Sequence, residues 1–236
     1  MGTRSQVRVA ILDDHQSIID GYLYRLNAAP EIQVVGTAAY GEDLEPLLDR
    51  HPANVLLLDV RVPTAPGNQN SFPVLYVIPR LLQKHPDLYV LVISVLNQHS
   101  LIEALVEVGI SGYIFKDDQE SIQQLAKIVV VVANGGIYFS HEAYRKLREK
   151  MSPSTTPLLT VRQLEALSLC AAYPDCSTAE LAGRLGVASS TLRNLLSSTY
   201  LRLDVRTRAA AMVKAQQLGL IAANTLGIEP VTDRDS

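Results

Sequence analysis

Through the first 134 residues, short apolar runs alternate with longer amphipathic stretches, and no other feature limits the fold so tightly. The runs 7–12, 32–36, 55–59, 89–94 and 112–115 have the length and branched-aliphatic content of strands. Helical periodicity fills 15–28, 42–50, 74–84, 99–108 and 119–134. A strand followed by a helix followed by a strand returns the chain to the same edge, so successive strands lie parallel. The expected fold is an α/β, doubly wound, five-stranded parallel sheet. Its ligand site belongs at the carboxyl ends of the strands.

The chain's most reactive polar residues fall at those ends. Asp13 and Asp14 follow the first run, Asp59 ends the third, Ser94 ends the fourth and Lys116 follows the fifth. Taken singly, an aspartate after a strand is a helix cap or turn former. Taken together, carboxylates at one sheet edge repel and call for a cation, and oxygen ligands favour Mg²⁺. In such a site Asp59 attacks phosphorus, Lys116 holds a phosphate oxygen and Ser94 makes a further hydrogen bond. Phosphatases with an aspartyl nucleophile place an acid two residues further on. Arg61 stands there, so that reading is set aside. His15 reads as a solvated helix-start residue.

The second half has a different grammar. In a helix starting at about Ser189, Leu192, Leu195, Leu196, Thr199 and Leu203 share a buried face, and Ser189, Ser190, Arg193, Asn194, Ser197 and Ser198 share the other. Short hydroxyls, an amide and a guanidinium suit a helix lying in the major groove. The preceding ELAGRLGVASST reads as a first helix and turn, with Gly186 taking the left-handed turn position. The plainer alternative is an amphipathic helix in an ordinary helical subdomain. Charge favours the polyanion: residues 155–225 carry seven Lys and Arg against four acids, net +3, while residues 1–154 carry thirteen against seventeen, net −4.

A length of 236 residues allows two domains at roughly 100 to 200 residues each. The longest apolar stretch, 128–133, is too short to span a bilayer, and the N-terminus lacks a signal-peptide core. A cytoplasmic protein with no membrane partner is expected. Cys170 and Cys176 lack histidines at ligand spacing and read as reduced thiols, the first in the core and the second near a loop. Gly135 and Gly136 stop the last helix of the first half; a charged helix at about 140–150 and a Ser/Thr/Pro linker follow. The domains are therefore expected at 5–134 and 158–225, joined by 135–157. The polar tail 226–236 is expected to be disordered.

Two resemblances rest on these residues. Residues 159–221 closely resemble the LuxR-type domain that ends regulators of the NarL/FixJ family, through Leu159 and Thr160, Glu165, Glu180 to Ala182, and RNLLSSTYLRLDVRTR from Arg193. Residues 5–134 resemble a two-component receiver, through DDH, LLLDV, VISV and GYIFK in that order. The resemblance implies a flavodoxin-like receiver followed by an all-α, four-helix, helix-turn-helix domain. It implies that Asp13 and Asp14 hold Mg²⁺ with Asp59 and the backbone carbonyl of Arg61, that Asp59 accepts a phosphoryl group from a sensor histidine kinase, and that Lys116 and Ser94 assist. Ser94 and Tyr113 would form the switch, the Tyr113 ring swinging inward on phosphorylation. A fixed, half-buried ring is the alternative.

In relatives the receiver can cover the reading helix until phosphorylation releases it and dimerisation places two reading helices on neighbouring half-sites. Arg193, Asn194 and Ser197 are assigned to base edges or phosphates; Ser190, Ser198, Arg202, Arg206 and Arg208 are assigned to the DNA backbone or to structural charge. The helix 207–218 resembles the family's DNA-domain dimer contact. The implied function is a phosphorylation-activated regulator of transcription acting on promoter DNA as a homodimer. It is not an enzyme beyond accepting a phosphoryl group and, at most, releasing it. The competing reading is a phosphorylation-independent regulator whose receiver binds a protein or ligand. Three features depart from the family: added residues at 64–72, Pro79 inside a helical pattern that should kink or restart there, and Leu195 where relatives often carry histidine.

Overall fold

Residues 6–148 and 158–221 are described by the computed structural model. The chain runs β1 (Val7–Leu12), α1 (Gln16–Leu26), β2 (Ile32–Ala38), a 3₁₀ turn (Gly41–Asp43), α2 (Leu44–Arg50), β3 (Val55–Leu58), β4 (Pro63–Ala65), β5 (Asn68–Ser71), α3 (Val74–Lys84), β6 (Tyr89–Ser94), α4 (His99–Glu107) and β7 (Gly112–Phe115). It continues through α5 (Gln119–Gln123), α6 (Leu125–Ala133), β8 (Tyr138–Phe139), α7 (His141–Arg148), α8 (Val161–Ala172), α9 (Thr178–Leu185), α10 (Ser189–Leu203) and α11 (Arg208–Gln217).

The main sheet has the order β2-β1-β3-β6-β7-β8, and every neighbouring pair is parallel. Central strands must be apolar on both faces because helices cover both. Val9 to Leu12, Val55 to Leu58 and Val90 to Ile93 are accordingly all buried. One face carries α1 and α6 through Ile19, Tyr22, Leu26, Leu125, Val129 and Val132. The other face carries α2, α3 and α4 through Leu48, Ile78, Leu82, Ile102 and Leu105.

Four local features differ from expectation. The stretch after residue 134 adds a sixth short strand, β8, beside β7 before α7 begins. The added residues at 64–72 form an antiparallel hairpin, β4 and β5, instead of an irregular loop. Residues 119–134 divide into α5 and α6 at Gln124. Helix α3 carries through Pro79 without restarting. The hydrogen bond Pro79 cannot donate would go to Leu75 in the first turn, while Val74, Ile78, Leu81 and Leu82 anchor the helix on both sides of it. Burial of that apolar face outweighs a proline cost of about 3 kcal/mol.

In the second half, α8 and α9 begin with reciprocal capping boxes, Thr160 with Gln163 and Ser177 with Glu180, and Thr207 caps α11. Gly186 ends α9 at φ 69°, the left-handed conformation that turns the chain into α10. Cys170 is buried, Cys176 is half-buried and both are free thiols. One continuous apolar cluster joins Leu167, Leu181, Leu192, Leu196 and Ala211 to Leu82 and Leu105 of the sheet-bearing half, so the two halves are packed together. No helix among the described residues is long and apolar enough to cross a membrane. The expected tail, 226–236, lies outside the described residues, as does the linker from residue 149 to 157.

Candidate functional site

The acid site is assembled by the ends of the parallel strands. Backbone bonds from Asp13 N–H to the Ala38 carbonyl (3.1 Å), Asp59 N–H to Leu12 (2.9 Å) and Lys116 N–H to Ser94 (3.1 Å) carry the ladder one residue past each strand. The side chains that follow therefore converge. Lys116 Nζ donates to Asp13 Oδ2 at 2.7 Å and to Asp59 Oδ2 at 2.6 Å. Asp13 is 1% exposed and Asp59 4% exposed, so the ammonium lies between two almost fully buried carboxylates. Burial alone would lower the Lys116 pKa, but its bonds to Asp13 and Asp59, and their charges, hold it above the ordinary value.

The remaining carboxylate oxygens accept from the main chain. Asp13 Oδ1 takes the His15 N–H at 3.0 Å, and Asp59 Oδ1 takes the Arg61 N–H at 3.1 Å. Asp14 is exposed at the rim. His15 is the exposed residue before α1, as expected, and its ring also approaches Asp14 at 2.9 Å and Asp13 at 3.5 Å. The ligand atoms of Asp13, Asp14 and His15 all lie within 4.8 Å of one another. The third of these atoms is a ring nitrogen, but the carboxylate oxygens of Asp13 and Asp14, with buried Asp59 joined to Asp13 through Lys116, are hard donors that fit a small divalent cation such as Mg²⁺. Tyr22 was not singled out by its motif; it sits close enough that, after burial, the charges of Asp13 and Asp59 raise its pKa. Only helical periodicity, placing Tyr22 on the buried face of α1, could have signalled it.

Ser94 is fully buried, and its Oγ accepts the Leu96 N–H at 3.4 Å. Tyr113 is also fully buried, and its hydroxyl donates to the Leu96 carbonyl at 2.5 Å. The ring is therefore inward and fully, not half, buried. Burial pushes its pKa up to about 12, with Asp59 adding to the shift and Ser94 opposing it.

The reading helix is less accessible than its sequence pattern suggests. Leu192, Leu196, Thr199 and Leu203 are buried as expected, and Leu195 is half-buried. On the polar face, however, Arg193 is 4% exposed and Ser197 is buried, because α10 packs against α3 and α4. The Arg193 guanidinium stacks on the Tyr89 ring, 4.9 Å from its centroid. Asn194 donates through Nδ2 to the Glu107 carbonyl at the end of α4. Gly109, at φ 105°, permits this approach: a Cβ there would stand 2.6 Å from Asn194 Oδ1.

The other candidates are partly engaged as well. Ser190 is half-buried. Ser198 Oγ donates to the Leu195 carbonyl at 3.0 Å and accepts from Gln163 at 2.8 Å. Arg202 reaches the Leu158 carbonyl at 3.4 Å. Arg206 stacks on Tyr138 of β8 at 5.3 Å, while its carbonyl accepts the Ile137 N–H at 2.8 Å. Arg208 donates to the Cys176 carbonyl at 2.8 Å and to Thr178 Oγ1 at 3.3 Å. Of the residues assigned to nucleic acid, Arg193, Asn194 and Arg206 thus meet the first half, while Ser198, Arg202 and Arg208 are held within the helical half.

Comparison with known proteins agrees with this architecture. Residues 9–128 match the family described as response regulator receiver domain. The transcriptional regulatory protein DegU of Brevibacillus brevis is 25% identical over 92% of this chain and 96% of its own length. The probable transcriptional regulatory protein NarL of Mycobacterium tuberculosis is 28% identical over 92% of this chain and 96% of its own. In fold, the chain is similar to RcsB of Salmonella enterica serovar Typhimurium, solved bound to a promoter in the presence of phosphomimetic BeF3−. That match has a TM-score of 0.54 and 21% identity, and covers 90% of this chain and 99% of that one.

Proposed function

The chain belongs to the response regulator receiver family, and from that premise we propose that it is a two-component transcriptional regulator in which phosphorylation of Asp59 frees α10 to bind promoter DNA. The observation that carries this reading is Lys116 Nζ held between Asp13 and Asp59 at 2.7 and 2.6 Å, at the sheet edge where the family's chemistry takes place.

Asp59 Oδ2 is the nucleophile. It forms a bond to phosphorus as the bond from phosphorus to the donor, a sensor histidine kinase's phosphohistidine, breaks, and the leaving imidazole keeps the electron pair. Asp13, Asp14 and Asp59, with the Arg61 backbone carbonyl, are the residues that would hold Mg²⁺. When bound, the ion supplies positive charge that offsets the carboxylates and the incoming phosphoryl group. Lys116 stays charged at neutral pH because both acids favour its ammonium. It therefore transfers from a carboxylate to a phosphate oxygen without a change of protonation. Buried Ser94 offers its hydroxyl to another phosphate oxygen.

The added charge, about −1.5 to −2, rearranges the region joining Ser94, Leu96 and Tyr113 to α4, and Glu107 at the end of α4 holds Asn194. Moving a closed protein from 1:99 to 99:1 open takes about 5.5 kcal/mol, within reach of several charge-assisted hydrogen bonds. Once free, Arg193, Asn194 and Ser197 face base edges or phosphates. Ser190, Ser198, Arg202, Arg206 and Arg208 face the DNA backbone. A homodimer then sets two copies of α10 on neighbouring half-sites. The domain limits implied are 5–134 and 158–225.

One observation favours a second reading. Tyr113 is fully buried with its hydroxyl on the Leu96 carbonyl, an inward ring that also fits a receiver whose switch is preset and whose surface serves another partner. Promoter binding and oligomer size, measured for wild type and Asp59→Asn with and without acetyl phosphate and Mg²⁺, separate the two. Tighter binding and dimerisation in wild type alone are expected. Equal behaviour of both proteins in every condition would support the preset receiver.

A further inference from the structure

Where β6 meets α10 the two halves line a small, partly open pocket of about 10 Å³, bounded among others by Tyr89, Ser111, Thr178, Arg193, Ser197 and Tyr200. A volume of this order holds one small guest. The polar groups around it have an imbalance. Arg193 is 96% buried by its 4% exposure, yet Nε, Nη1 and Nη2 all lack a hydrogen-bond partner among the described residues. The Tyr89 ring covers the face of the guanidinium and leaves its edge donors unanswered. The Tyr200 hydroxyl, 1% exposed, is buried beside it, and the Arg208 guanidinium opposes the upward shift that burial gives its pKa.

The opposite wall adds positive charge. Arg208 donates to Thr178 Oγ1 at 3.3 Å, and Thr178 Oγ1 lies 3.3 Å from the Tyr89 hydroxyl. Burial disfavours the Arg193 charge, and Tyr89 and then Asp87 favour it, Asp87 through space. A guanidinium does not shed its proton in a protein, and Asp87 offsets the charge of Arg193 from a distance without giving its edge an acceptor, while Arg208 adds a second cation nearby. Water supplies an acceptor without the charge. A monatomic anion supplies both in the room available.

We propose that this cavity is a binding site for a halide-class anion, chloride in solution, that pairs with Arg193 and Tyr200 only while the two halves are closed. Tyr89, Ser111 and residues 135–137 come from the sheet-bearing half, and Thr178, Arg193, Ser197 and Tyr200 from the helical half, so opening dismantles the site. An anion that binds one of two states shifts the population towards it. Chloride therefore holds the reading helix shut, and DNA phosphates compete for the same Arg193. This consequence for DNA rests on the proposed function; the anion site stands on the geometry alone.

The test uses the full, unphosphorylated chain without DNA, so its failure is separate from any failure of the DNA-binding reading. Chloride is titrated against gluconate at constant ionic strength while the thermal midpoint is followed, and crystals grown in sodium bromide are examined for anomalous scattering. The expected result is a saturating rise in midpoint and a bromide peak beside the Arg193 guanidinium and the Tyr200 hydroxyl. Tyr200→Phe, which removes only the hydroxyl, should weaken the apparent chloride affinity about tenfold. Arg193→Met should abolish the response. A midpoint that is the same in chloride and gluconate, a non-saturating response shared by Arg193→Met, or a cavity without bromide would each overturn the proposal.

Discussion

The acid edge of the sheet and the polar face of α10 are both written plainly in the sequence, yet only the first is presented for chemistry. Asp13, Asp59 and Lys116 meet within hydrogen-bond distance at the open ends of the strands. Arg193 and Ser197 are buried where α10 packs on α3 and α4, Arg193 lies against Tyr89 at the start of β6, and half-buried Asn194 is tied to the end of α4. The difference lies in what determines each. The acid site is set by one sheet: once β1, β3 and β7 are parallel neighbours or near neighbours, the next residue of each strand has nowhere else to point. Access to α10 depends on a second body, and no pattern local to either half encodes that relation.

The strongest way to sharpen the contrast is to remove the cation from the acid site. Lys116→Met leaves two almost fully buried carboxylates facing each other without compensation. Breaking a buried ion pair in this way costs about 3 to 5 kcal/mol. The expected result in chelator is a midpoint lowered by several degrees, read by calorimetry, with partial recovery on adding Mg²⁺ because the metal replaces the lost charge. Phosphorylation by acetyl phosphate should fall at least about a hundredfold, equivalent to about 2.7 kcal/mol of transition-state stabilisation. An unchanged midpoint in chelator would mean that the two acids are not held at the separation described.

How much of this was legible follows the same division. The five principal strands, the order of the acid-site residues and the extent of α10 could all be read because each rests on a period or a terminus within one segment. Gly186 announced its turn because a left-handed residue ends α9. Strand β8 was hidden because two residues, Tyr138 and Phe139, are too few to show alternation. The hairpin at Pro63–Ala65 and Asn68–Ser71 was hidden because its second strand, NQNS, is wholly exposed and has no apolar face to betray it. Pro79 does not restart the helix because propensity speaks only for the backbone, whereas four buried side chains decide that α3 continues. The burial of Arg193 was least legible of all. Its cover, Tyr89, lies 104 positions earlier in the chain.

A second prediction tests whether the cover itself restrains α10. Tyr89→Leu removes the ring stacked on Arg193 and its hydroxyl contact with Thr178. A desolvated cation–π pair contributes about 2 kcal/mol, so the closed arrangement should lose up to that amount. DNA affinity of the unphosphorylated protein should then rise about ten- to thirtyfold, at about 1.4 kcal/mol per tenfold. Tyr89→Phe keeps the ring and should move affinity less than threefold. Fluorescence anisotropy with a labelled promoter fragment reads both. If the two variants behave alike, the stack is not what holds the helix.

The smallest effect belongs to the residue between the two regions. Tyr113 is fully buried, and its hydroxyl bond to the Leu96 carbonyl fastens the segment after β6. Tyr113→Phe should cost about 1 kcal/mol at neutral pH, the worth of one buried hydrogen bond. It should also change the response to alkali. In the unfolded chain a tyrosine loses its proton near pH 10, whereas here burial holds the phenol neutral to about 12. Between those values the native state retains a proton that the unfolded state has lost. Stability must therefore fall with rising pH across that window, and wild type should lose its advantage over Tyr113→Phe progressively from pH 10 upward. Urea unfolding at pH 8, 10 and 11, with phenolate absorbance followed in parallel, measures this. A constant difference between the two proteins across the series would show that Tyr113 titrates as freely as an exposed tyrosine and that the inward ring is not locked.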